Sequence, residues 1–165
     1  MTLYLTTLIV QNQRFMRILM VCLGNICRSP LAEGIMRQKI KDAGLNWEVD
    51  SAGTGSWHIE DAPDPRSIRV ANENNIDISR QRGRQFSRED FNQFDLIFAM
   101  DSENYQNIHK LASDQASKKK VQLVMNEYQK DRNQSVPDPY WNDGGFQGVF
   151  EMLDKACGCI IENYS

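Results

Sequence analysis

From Cys22 to Pro30 the chain reads Cys-Leu-Gly-Asn-Ile-Cys-Arg-Ser-Pro, placing an arginine, Arg28, six positions after a cysteine. A thiolate is a strong nucleophile. A guanidinium is a planar fork that grips two oxygens of a phosphate. The apolar run Ile18 to Val21 leads into this stretch and reads as a buried strand. An amphipathic run leads out, Pro30 to Ala43, with Ala32, Ile35, Met36, Ile40 and Ala43 on one helical face. Gly24 lets the backbone curl, Ser29 can cap the helix, and Pro30 suits its first turn. A strand, a tight loop and a helix N-terminus together make an anion cradle, because inward amides and the helix dipole favour negative charge. Leu23, Gly24, Asn25, Ile26, Cys27 and Ser29 are therefore candidates to hold an oxyanion, with Cys22 beneath it aimed at phosphorus. The plainer reading stands beside this one: a cysteine ending a buried strand is most often core.

Attack on an aryl phosphate needs a second group. A phenol of pKa near ~10 leaves more easily at neutral pH when an acid protonates it. Asp138 is the candidate, in Val136-Pro137-Asp138-Pro139-Tyr140-Trp141. Two prolines stiffen the segment, and Pro139 pushes Asp138 towards extended backbone, holding a carboxyl in fixed projection. A simple surface turn is the alternative. Ile26, Trp57, Tyr140 and Trp141 could wall a deep apolar slot that admits a long aromatic ester and excludes a short aliphatic one. Each is equally readable as packing.

The elements that must position these residues alternate. Strands are expected at Ile18–Val21, Trp47–Asp50, Phe94–Met100 and Val121–Met125. Helices are expected at Pro30–Ala43, Pro65–Asn74, near Ser87–Asp90, at Asp101–Leu111 and at Phe146–Asn163, with long loops at 51–64 and 131–143. Alternation of this kind predicts an α/β fold, a parallel sheet covered on both faces. Ligands then bind beyond the carboxyl ends of the strands, where Cys22, Ser51 and Asp101 should gather.

The chain has 165 residues, enough for one domain with a sizeable core. A net charge of −3 gives no general attraction to nucleic acid or anionic membrane, so any phosphate affinity must be local. The 4 cysteines have no zinc-like spacing and fit a reducing, cytoplasmic setting. His58 and His109, the 2 histidines, give little sequence support for a metal site or a Cys–His pair. The lysine run Lys118 to Lys120 reads as a solvated face. Residues 1–15 are mildly apolar but too short to span a bilayer and lack the marks of a signal peptide, so they read as a non-native extension to a single domain at 16–165.

Cys22 to Ser29 resembles the Cys-x5-Arg-Ser phosphate loop of the low-molecular-weight protein tyrosine phosphatases. Asp138-Pro139-Tyr140 is similar to that family's Asp-Pro-Tyr. Ser51-Ala52-Gly53-Thr54 and Pro63-Asp64-Pro65-Arg66 agree more weakly. The resemblance implies a three-layer sandwich around a four-stranded parallel sheet of order 2-1-3-4. It also implies hydrolysis of phosphotyrosine through a phosphocysteine: Cys22 attacks, Arg28 binds the phosphate, and Asp138 is general acid and then base. Asn25, Ser29 and Ser51 would form a supporting network, with Arg80 standing where the family often has a histidine. No cofactor or metal is implied, since the protein supplies the positive charge. The expected partners are a phosphotyrosine protein and inorganic phosphate or a similar oxyanion, with no nucleic acid and no membrane. A reversible Cys22–Cys27 disulfide is implied as well. Protein arginine phosphatases resemble the loop but tend to carry Thr where Ile26 stands. Arsenate reductases of the same fold relay electrons through two mid-chain cysteines, which this chain lacks between Cys27 and Cys157. An inactive phosphotyrosine-binding homologue would need neither Cys22 nor Asp138.

Overall fold

The computed structural model describes residues 14–165. The expected extension over 1–15 lies outside the described residues except for Arg14 and Phe15, and the Arg14 carbonyl accepts from Trp47 Nε1 at 3.0 Å.

Four strands, β1 (Met16–Cys22), β2 (Trp47–Gly53), β3 (Leu96–Ala99) and β4 (Val121–Leu123), form one parallel sheet of order β2-β1-β3-β4. In β1, Ile18 to Val21 are fully buried because both faces of the sheet are covered. Successive side chains of a strand point to opposite faces. Ile18 and Met20 accordingly enter one core and Leu19 and Val21 the other. The first core packs α1 (Arg28–Asp42), α2 (Pro65–Glu73) and α6 (Gly145–Tyr164). The second holds Phe91 of α3 (Asp90–Gln93) and Ile108 of α4 (Ser102–Leu111), with Phe86 and Phe94 between elements. The result is the expected three-layer α/β sandwich. Among the described residues no helix is long and apolar enough to cross a membrane.

Several boundaries differ from expectation for tertiary reasons. β2 runs on to Gly53, so Ser51 lies in a strand rather than a loop. The segment beyond it explains this: Gly53 N–H donates to the Arg84 carbonyl at 2.9 Å and Phe86 N–H to the Gly53 carbonyl at 2.7 Å. A short α5 (Gln115–Lys119) takes up part of the lysine run. Lys120 is not solvated as expected, since its Nζ reaches the carbonyls of Phe91 and Phe94 at 2.6 and 3.1 Å. Ala43 lies outside the buried face of α1. The expected loop 131–143 contains a 3-10 turn, Pro139–Trp141.

Candidate active site

The loop between β1 and α1 is shaped from outside. Its carbonyls point away from its centre into neighbouring segments. Cys22 O accepts from Thr54 N, Leu23 O from Gly55 N, and Ile26 O from Asp64 N, at 2.8–2.9 Å. Cys27 O accepts from Ser67 Oγ at 3.3 Å. Carbonyls turned outward leave a loop's amides free to face inward, which is what an anion-binding nest requires. Asn25 N–H points at Cys22 Sγ, 3.3 Å away. The tight curl is taken by Asn25, with φ of 57°, and not by Gly24 as the sequence suggested. Asn is among the few non-glycine residues that tolerate this region. At Gly24 the close approach is to a side chain: a Cβ there would stand 3.2 Å from the His58 ring, which would have to give by a few tenths of an ångström.

Beneath the loop a polar chain runs inward from the sulfur. Ser29 Oγ is 3.0 Å from Cys22 Sγ. Asn25 Nδ2 donates to Ser29 Oγ at 2.8 Å and to Ser51 Oγ at 3.0 Å. Asn25 Oδ1 accepts from Arg84 N–H at 3.0 Å, which fixes which way its amide faces. Ser51 in turn donates to Glu33 Oε2 at 2.5 Å, and Arg37 grips the other Glu33 oxygen. Each donor is thus assigned, and the Ser29 hydroxyl proton is left with the sulfur as its nearer acceptor, the Ala52 carbonyl being 3.4 Å off. Burial raises the Glu33 carboxyl above its ordinary value, while the bonds from Ser51 and Arg37 pull it down. Ser29 is therefore not the helix cap; α1 starts at Arg28 with no side-chain cap. Asn25 and Ser29 are buried beneath the cradle rather than lining the cavity. Arg80 is exposed and stands apart from this network, which closes instead on Glu33, Arg37 and the Arg84 amide.

Arg28 is 2 % exposed. Its Nη1 donates to Asp101 Oδ2 at 2.6 Å and to the Val136 carbonyl at 3.0 Å. Burial opposes its charge, but Cys22, Asp101 and Asp138 outweigh that and hold the guanidinium above its ordinary value. Asp101 also caps α4 through Asn104 N–H at 2.7 Å. The sequence suggested the strand-end position of Asp101, but carried no sign that it pairs with Arg28.

Asp138 arrives from far along the chain. Its Oδ2 is 3.7 Å from Arg28 Nη2, and its Oδ1 accepts from Tyr140 N–H at 3.1 Å. Cys22, Arg28 and Asp138 line one cavity of about 290 Å³ together with Leu23, Gly24, Ile26 and Cys27. Trp57, Tyr140 and Trp141 form its mouth, joined by His58, a lining residue that sequence reasoning missed. His58 Nδ1 faces Asp61 Oδ2 at 2.9 Å. The expected deep slot is an open-mouthed cleft: Trp57 is 72 % and Trp141 89 % exposed. His109 is elsewhere, stacked on Tyr105. Glu33 had one legible signal, an acid set on the apolar stripe of α1 between Ala32 and Met36. Among the described residues no group of three or more metal-ligating side chains is clustered.

The family model described as "Low molecular weight phosphotyrosine protein phosphatase" matches residues 17–164. A protein of that name from Schizosaccharomyces pombe is 43% identical over 143 residues, covering 84% of this chain and 90% of the relative. The crystal structure of a protein tyrosine phosphatase from Entamoeba histolytica superposes with a TM-score of 0.84 at 35% identity, covering 90% of this chain and 96% of that one. A drosophila arginine phosphatase superposes with a TM-score of 0.85 at 31% identity, covering 91% and 98%. The chain belongs to the low molecular weight phosphotyrosine protein phosphatase family and is an enzyme of that kind.

Proposed function

We propose that this chain hydrolyses phosphotyrosine in proteins, and aryl phosphates generally, through a phosphocysteine intermediate. Cys22 Sγ attacks phosphorus in line, and the phosphorus–oxygen bond to the phenol breaks. Asp138 gives its proton to the departing oxygen. A water molecule, deprotonated by Asp138, then displaces the sulfur and releases inorganic phosphate. Arg28, the loop amides and the start of α1 stabilise the equatorial oxygens through both steps. Ser29, held by Asn25, donates to the sulfur and eases its departure. The observation that carries this reading is that Cys22, Arg28 and Asp138 share one cavity although Asp138 lies 110 positions beyond Arg28. Ile26 and Tyr140 in the cavity wall favour an aromatic ester over a guanidine phosphoramidate. A reducing, cytoplasmic setting suits an unpaired Cys22.

The test is p-nitrophenyl phosphate and a phosphotyrosine peptide, with phosphoarginine alongside. The wild-type chain should turn over the first two. Cys22→Ser should abolish turnover, and Asp138→Ala should slow it by roughly 10²–10⁴. Undiminished turnover by Cys22→Ser, or a preference for phosphoarginine, would overturn the reading.

A further inference from the structure

Apart from its 3.7 Å ion pair with Arg28, Asp138 is placed by very little of its own. Its side chain is 39 % exposed, and its hydrogen bond is to Tyr140 N–H within the same short turn. Something else must fix that turn against the phosphate loop. Arg66, the second residue of α2, is built to do it. One edge of its guanidinium is locked on Asp64, with Nε to Oδ1 at 2.9 Å and Nη2 to Oδ2 at 2.8 Å. Asp64 is 8 % exposed, and its own N–H donates to the Ile26 carbonyl of the phosphate loop at 2.8 Å. Ser67 adds a second tie from α2 to that loop through the Cys27 carbonyl. The other edge of Arg66 grips Asp143, just past the acid turn. Its planar face lies over the Phe146 ring at 4.6 Å and the Tyr140 ring at 5.6 Å.

We infer that Arg66 is a positioning residue for catalysis, a strap that sets the Asp138 carboxyl over the phosphate loop by clamping Tyr140 and Asp143 to the loop's own support. This rests on the proposed role of Asp138. Only a planar, forked cation meets the geometry, since Lys can make neither the two-point bond to Asp64 nor the stacking. Arg66 does not touch the reacting atoms. Its loss leaves Cys22 and Arg28 as they are and lets the acid turn drift.

The measurement is kcat/KM on two aryl phosphates. Phenyl phosphate expels a phenol that needs a proton. 2,4-Dinitrophenyl phosphate expels an anion stable without one. Arg66→Met should lower kcat/KM for phenyl phosphate by about 10-fold or more, because a misplacement of an ångström costs up to about 10²-fold, while the dinitrophenyl ester changes by less than about threefold. Arg66→Lys should behave like Arg66→Met. Asp143→Asn, at a side chain 86 % exposed, should keep the fold and move the ratio of the two rates the same way by about two- to fivefold. Melting curves establish which variants are folded. If the ratio stays at its wild-type value in the folded variants, the strap is overturned, whether activity falls equally on both esters or not at all. Wild type and Asp138→Ala run in parallel. If Asp138→Ala shows no selective loss on phenyl phosphate, it is the role of Asp138 that fails, and that outcome is distinct from a flat response at Arg66.

Discussion

Cys27 has its thiol pushed up to about 12, by burial first and then by the negative charge of Asp64, Cys22 and Asp138. At pH 8 only about one part in 10⁴ of such a group is thiolate, and the thiolate is the reactive form. Cys157, fully buried, is likewise raised to about 12. The loop therefore holds two sulfurs of unequal use: Cys22, with Ser29 Oγ and Asn25 N–H directed at it, and Cys27, without that company. Iodoacetamide at pH 8 should alkylate the loop peptide at Cys22 and leave Cys27 intact, and inorganic phosphate should slow the labelling by covering the sulfur. Peptide mapping by mass spectrometry reads this directly; equal labelling of both cysteines would contradict it. The same inequality bears on the disulfide implied by the sequence resemblance. An oxidant must enter at Cys22 to give a sulfenic acid, and Cys27 then closes the bridge with loss of water.

Among the elements, β2 and the phosphate loop meet most closely at Gly53. A Cβ there would stand 2.7 Å from Leu23 O and 3.1 Å from Asn25 N, both of them backbone. Since Asn25 N–H is the amide aimed at Cys22, no flexible side chain can absorb the push. Gly53→Ala should cost about 1–3 kcal/mol of stability as overpacking and lower kcat/KM by about 10-fold or more through displacement of the loop. Gly148→Ala on α6, where a Cβ meets nothing within 4 Å, should instead be neutral or stabilise by up to about 1 kcal/mol. Thermal melting and p-nitrophenyl phosphate kinetics on the pair separate the two cases. This contact also marks where the sequence stopped being readable. β1 was legible because both of its faces are buried and its residues are continuously apolar. The Cys22–Arg28 loop was legible because phosphate chemistry constrains residue type and spacing, and Asp138 because two prolines frame it. The reach of β2 to Gly53 was not, because it depends on pairing with 84–86, a segment with no strand pattern of its own. Ser29 stayed open in the sequence because the same hydroxyl suits a helix cap and a sulfur, and only the Asn25 side chain decides for the sulfur. Asp101 read as the start of a helix and caps it; its pairing with Arg28 exists only because β1 and β3 are neighbours in the sheet.

Across the whole molecule, stability and chemistry occupy different regions. The sheet divides two apolar cores, and the site lies beyond the carboxyl ends of β1 to β3, where loops meet and only Cys22 and Cys27 of its lining belong to the larger core. The larger core joins α1 to α6 through Leu31, Ile35, Met36, Phe150, Leu153 and Ile160. Leu153 is fully buried, and α6 makes its main contacts with α1 and with the 3-10 turn Val124–Glu127. Leu153→Ala removes buried methyl groups in a tightly packed region and should cost about 2–5 kcal/mol. In a chain of this size each kcal/mol lowers Tm by roughly 2–4 °C. The cradle is held from a different side, by hydrogen bonds from Thr54, Gly55, Asp64 and Ser67. Leu153→Ala should therefore melt well below wild type and yet, at a temperature where both are folded, keep kcat/KM and the leaving-group ratio within about twofold, as expected of distant sites that do not couple. A selective fall on phenyl phosphate in this variant would show that the α1–α6 core governs the acid turn, and would contradict the division drawn between core and site.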